Sequence, residues 1–97
     1  MPKILSYGMY IIYFWSNEKG EPIHVHIGIK RPAENDTKLW LLRTGDTILV
    51  HNNNDIPSKE LKKLQELIKT NKKKIIFEWS TRFDSVEFYN KLEEVKK

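Results

Sequence analysis

The feature that most constrains this chain is a change in the period of its apolar residues near position 56. Before it, apolar side chains alternate or run unbroken over short stretches. After it, they recur at three- and four-residue intervals. Strands followed by helices imply an α+β architecture, with a mainly antiparallel sheet covered on one face by helices.

The strands read as follows. Tyr10-Ile11-Ile12-Tyr13-Phe14-Trp15 is β-branched or aromatic throughout, which predicts a strand buried on both faces. A polar turn over 16–22 leads into Ile23-His24-Val25-His26-Ile27-Gly28-Ile29, where Val25, Ile27 and Ile29 take one face and His24, His26 and Gly28 the other. A polar loop over 30–36 precedes a third strand over 37–42, in which Leu39 and Leu41 oppose Lys38, Trp40 and Leu42. Thr44-Gly45-Asp46 turns the chain into a short fourth strand, Thr47-Ile48-Leu49-Val50. The expected sheet therefore has four strands. One of its faces is left over, and that is where function is to be sought.

In the second half, Leu61, Leu64 and Ile68 form one helical stripe, with Leu67 at its edge and Ile75 and Trp79 as its continuation. Lys59, Lys62, Lys63, Lys69 and Lys73 fall on the opposite arc. Lys72 would land inside the apolar stripe of one continuous helix, and Phe77 on its lysine side, so two segments, 58–70 and 72–82, are expected. Ser58 is the cap candidate. Asp84-Ser85-Val86-Glu87 has capping-box spacing, which predicts a third, short helix over 85–95.

The 97 residues make one domain, with a β-rich half over 1–55 and a helical, basic half over 56–97. That length excludes barrel and dinucleotide-fold enzymes. The absence of cysteine excludes disulfide scaffolds, thiolate catalysis and cysteine-rich zinc sites. Met9 to Trp15, the longest apolar run, has seven residues against the roughly 20 of a membrane span, and Met1-Pro2-Lys3-Ile4-Leu5 lacks a signal-peptide pattern. A cytoplasmic chain with no membrane association is the expectation. The net charge of +4 lies entirely in residues 56–97, and 59–74 holds seven lysines against two glutamates. Such a patch attracts a polyanion or an acidic protein, or serves only to keep a helix face solvated.

His24-Val25-His26 is the sharpest chemical signal. On a strand the two imidazoles project to one side with Cβ atoms roughly 7 Å apart, suited to acid/base work or to a shared divalent metal. A third ligand would come from His51, Asp46 or Glu21, none at diagnostic spacing. Histidine-triad hydrolases place a third histidine where this chain has Gly28, so that mechanism lacks a partner. The two imidazoles are equally read as packing against Trp40. Tyr7, Tyr10, Tyr13, Trp15 and Trp40 all lie in the β half, as core or as platforms for base stacking. No phosphate-binding loop, dinucleotide fingerprint, zinc-protease motif or nucleophile elbow is present, and no cofactor is expected.

Several of these stretches, taken in order, resemble the small prokaryotic domain of unknown function 4160 family. They are Tyr10 to Trp15 with Ser16-Asn17, Glu21-Pro22-Ile23-His24-Val25-His26, Lys38-Leu39-Trp40-Leu41, Ser58-Lys59-Glu60-Leu61, and Phe77-Glu78-Trp79. Pro22, His24, His26, Trp40, Leu61 and Trp79 match the pattern over roughly residues 2–83. The loop over 30–36 looks longer than usual, and the tail over 84–97 looks additional. The resemblance implies a gene beside another small gene in a toxin–antitoxin-like pair, and so a binding partner. It implies no catalytic residue.

The expected function is thus a binding module of such a two-gene system, working as a homodimer or with a small operon-encoded protein. Its ligand would be RNA, a nucleotide or an acidic partner, held by His24, His26, Trp40, Lys38 and Arg43 on the sheet and by Lys62, Lys69 and Lys73 on the helices. The alternative is a ribonuclease or phosphodiesterase with His24 and His26 as general acid and base and Lys38 or Arg43 stabilising the phosphorane. A further alternative is a divalent-metal-binding domain using His24, His26 and His51.

Overall fold

The alternation in the first half becomes a meander. In the computed structural model, which describes residues 3–16 and 20–89, five strands precede two helices. The strands are β1 (Lys3–Tyr7), β2 (Tyr10–Tyr13), β3 (His24–Ile29), β4 (Thr37–Leu41) and β5 (Thr47–His51), and each pairs antiparallel with the next. The helices are α1 (Ser58–Thr70) and α2 (Lys72–Phe83).

The sheet has five strands, not the expected four. The additional strand, β1, forms one edge, buries only Ile4, and joins β2 through a bulge between Lys3 and Leu5. An edge strand anchored by one buried residue leaves almost no periodic signal in its sequence.

Pairing register assigns the faces. Tyr10 opposes Ile29 and Ile12 opposes Ile27. Tyr10, Ile12 and Ile27, with Val25, Leu39 and Leu41, form a single core with Leu61, Leu64 and Ile68 of α1 and Ile75 and Trp79 of α2; Ile29, expected on the same face, lies at the strand end and is exposed. The stripe expected from helical spacing is the stripe that is buried. Tyr13, His26 and Lys38 line up across the opposite face, as do His24 and Trp40.

The helices divide at Asn71, whose φ of −106° and ψ of 22° leave the helical range. Its side-chain amide donates to the Leu67 carbonyl at 2.9 Å, closing α1. This break removes Lys72 from the apolar stripe. The Lys72 ammonium instead lies 3.4 Å from each of the Arg43 and Thr44 carbonyl oxygens, at the β4–β5 turn. Gly45 of that turn has φ +98°, and a Cβ there would meet Lys72 Cδ at 2.9 Å. Glycine meets both demands at once.

Two expected helix ends differ. Pro57 rather than Ser58 occupies the cap position of α1, and its carbonyl accepts the Leu61 N–H at 2.8 Å. Ser58 is already helical and makes no capping bond. Residues 85–89 form no helix. Asp84 adopts φ +62° and ends α2 with its N–H on the Ser80 carbonyl at 2.8 Å, a left-handed closing residue instead of the extended one that begins a helix. The expected helix over 90–95 lies outside the described residues, as do 17–19 of the polar turn. No helix among the described residues is long and apolar enough to cross a membrane.

Candidate functional site

The sheet face opposite the α1 stripe carries four of the anticipated residues, His24, His26, Lys38 and Trp40, and Trp79 of α2 reaches its histidine end. His24 is fully buried and His26 nearly so. The reason is a shell of rings. His24 meets His26, Trp79 and Trp40 edge-on at centroid distances of 5.2, 5.2 and 5.6 Å, while Tyr13 stacks on His26 at 5.4 Å. The His24 Nδ1 lies 2.9 Å from the Pro22 carbonyl oxygen. A carbonyl only accepts, so the proton sits on Nδ1 and the ring orientation is fixed. Both imidazoles are thus packed within a shell of aromatic rings.

A buried polar knot stands beside them. Tyr13 donates its hydroxyl to Asp36 Oδ2 at 2.6 Å, the Ala33 N–H donates to the same oxygen at 2.8 Å, and the Asn54 amide donates to Oδ1 at 3.0 Å. Asp36 is buried, and these donors replace the water it has lost. Asn52 continues the knot by bonding Thr37 and Ile56. The loop over 30–36 thus folds onto the histidine face and helps to close it.

Other anticipated residues are committed elsewhere. Lys38 pairs with Glu21 at 2.8 Å and lies 4.7 Å over the Trp40 ring. Asp46 pairs with Lys69 at 2.9 Å, and that ammonium, with the Thr44 hydroxyl, holds the exposed Asp46 carboxyl below the usual range. His51 sits opposite Lys38, and its Nδ1 is buried with no hydrogen-bond partner among the described residues. Nowhere among the described residues do three His, Asp or Glu side chains gather around one point. The proposed metal ligands are therefore not brought together.

The α1 lysines lie outside the stripe that packs on the sheet face opposite the histidines, whereas α2 touches both sides, through Ile75 in the core and Trp79 on His24. Lys62 and Lys69 line a surface groove with Asp46, Thr47, Gln65 and Glu66. Lys59, Lys62, Lys63, Lys73 and Lys74 are exposed. Among the described residues, Lys69 alone of the lysines in α1 and α2 makes an ion pair. Phe77, three and four residues beyond Lys74 and Lys73 on α2, is 66% exposed, the most of any large apolar side chain among the described residues.

Two features of the histidine face were not anticipated. Tyr89 stacks on Trp40 with centroids 5.2 Å apart and planes 2° from parallel, and the Arg43 guanidinium lies 4.6 Å over Phe88. Neither Phe88 nor Tyr89 belongs to a periodic pattern that would mark it. Asp36 was anticipated only as part of a polar loop, although Gly28 in the histidine strand is a trace of its close approach.

Residues 10–80 match the family model Domain of unknown function (DUF4160). No curated protein and no solved structure matches the chain.

Proposed function

We propose that this chain, which belongs to the DUF4160 family, is a cytoplasmic RNA-binding module acting within a two-gene, toxin–antitoxin-like pair. The observation that carries this reading is the exposed Phe77 ring flanked by exposed lysines that make no ion pair among the described residues. Single-stranded nucleic acid is held sequence-tolerantly by cations that track phosphates and by aromatic rings on which bases stack. Lys73, Lys74 and Phe77 are neighbours at helical spacing, and Lys62 and Lys69 extend positive charge along α1. Ordinary solubility accounts for exposed lysines, but not for an exposed phenylalanine among them.

The test is fluorescence anisotropy with a short labelled oligouridylate. Phe77→Ala should weaken binding about tenfold with unchanged thermal stability, and Lys73→Glu should weaken it further. Wild-type affinity in the folded Phe77→Ala variant would remove the reading.

A protein partner is the second reading, favoured by β5. This edge strand carries no Lys, Glu or Pro and exposes Leu49 and Val50. Unprotected edges are templates for strand addition by a second copy or by the operon partner. Sedimentation of wild type against Val50→Lys separates the cases, since only an edge-paired dimer is dissociated by the added charge.

A further inference from the structure

The two edges of the sheet are finished differently. β1 carries Lys3 and a bulge, buries Ile4, and has α2 packed beside it. β5 carries no charged residue and no proline, and its Leu49 and Val50 are exposed. The pairing pattern says which of its backbone groups are used. The Leu41 N–H donates to the Ile23 carbonyl at 3.1 Å, toward β3 and away from β5, and Leu41 opposes Thr47. Bonded positions alternate along an antiparallel pair. Ile48 therefore turns its N–H and C=O to Trp40, while Thr47 and Leu49 turn theirs off the sheet. Val50 matches no residue of β4, because the register passes from Leu39 opposite Leu49 to Lys38 opposite His51. Instead of presenting a charge, this bulge presents an apolar side chain.

We infer that the strand completing this edge is β5 of a second copy, the two running antiparallel about a twofold axis at Leu49. The inference rests on the edge reading above, whose partner it names, and is independent of RNA binding. The symmetry sets Leu49 against itself, Val50 against the partner's Ile48 and Thr47 against the partner's His51. No facing pair brings like charges together. Leu49 meets its copy with both backbone groups directed outward, so the pair exchanges two hydrogen bonds. The margin of the strand is self-complementary as well. Between α1 and β5 lies a groove of ≈ 370 Å³ lined by Asp46, Thr47, Lys62, Gln65, Glu66 and Lys69. Its two carboxylates and two ammoniums balance, so a second copy meets no net charge of its own sign, whereas a strongly acidic partner gains nothing there. Growth stops at two, because β5 is used up and the edges that remain are the protected β1 strands.

Sedimentation of the full chain across a concentration series, joined to single-cysteine cross-linking, tests this, since the chain has no cysteine of its own. Wild type should form a dimer. Leu49→Cys should become a covalent dimer under mild oxidation, because bonded antiparallel partners stand about 5.5 Å apart at Cα, within disulfide reach. Thr47→Cys alone should not, because its two copies are offset by roughly 13 Å along the strands. Mixed with His51→Cys, it should cross-link. Leu49→Cys and Thr47→Cys cross-linking equally, or neither doing so, overturns the twofold pairing. A wild-type chain that is monomeric at every concentration overturns the second copy and leaves the edge to a foreign strand. A dimer that Val50→Lys leaves intact overturns this pairing and the edge reading together. Should Leu49→Cys fail to fold, amide exchange of wild type decides. The Leu49 N–H should exchange at least about tenfold more slowly in the dimer than in dilute protein, and a rate independent of concentration contradicts the pairing.

Discussion

A Cβ on Gly28 would stand 2.6 Å from Asp36 Oδ2 and 2.9 Å from the Arg31 carbonyl oxygen. The position where a third histidine would continue the pattern is therefore filled by a carboxylate from the next loop. Three donors hold that carboxylate and the second contact is backbone, so neither neighbour yields cheaply. Gly28→Ala should lower stability by about 1–3 kcal/mol, measured by urea denaturation, with the loop over 30–36 losing amide protection first.

The Tyr13–Asp36 bond is one of three that replace water around a buried carboxylate. Tyr13→Phe keeps the ring on His26 and removes only the donor. It should cost about 1–3 kcal/mol. Asp36→Ala, which strands three donors, should cost more. Equal stability of wild type and Tyr13→Phe would show that the knot is not the closure of the histidine face.

Tyr10 donates its hydroxyl to Glu60 of α1, clamping the sheet to the first turn of the helix. That bond, then burial, then the negative charge of Glu60 raise the Tyr10 pKa above its ordinary 10.0. The folded state thus holds this proton more tightly than the unfolded chain does. The contribution to stability is complete below pH 10 and is lost as pH rises through the folded-state value. Tyr10→Phe should flatten this alkaline decline in a pH series of thermal melts, and an identical decline in both proteins would exclude the clamp.

Trp79 and Phe77 are two residues apart on α2 and should behave oppositely. Trp79 is buried against Phe14, Phe83 and His24. Trp79→Ala should therefore destabilise by about 3–5 kcal/mol. Phe77→Ala should change stability by no more than about 0.5 kcal/mol, and its effect should appear in RNA affinity alone.

The parts of this fold that were legible in the sequence are those in which periodicity and burial coincide. Strict alternation through His24 to Ile29 placed Val25 and Ile27 in the core and the histidines opposite, and helical spacing assigned Leu61, Leu64, Ile68, Ile75 and Trp79. The misplaced phase of Lys72 located the break at Asn71. The closure of the histidine face was not legible, because it depends on contacts without a period. Asp36 arrives from a loop, and Tyr89 from a segment whose capping-box spacing resembled a helix start. The spacing was outweighed by the left-handed Asp84 and by the Ile23–Glu87 bond, neither of which a local pattern encodes. A strand such as β1, with Ile4 as its single buried residue, is likewise specified by its neighbour β2 more than by itself.

The most direct test of the RNA-binding claim is the salt dependence of oligouridylate binding by the wild-type chain. With three or four phosphates neutralised by the helix lysines, log affinity should fall against log salt with a slope of about −2 to −3. Replacing Lys62 and Lys73 together by glutamate should make that slope shallower and weaken binding at every salt concentration. Binding that ignores salt, or that the double variant leaves unchanged while folded, would contradict the account and move attention to the β5 edge and a protein partner.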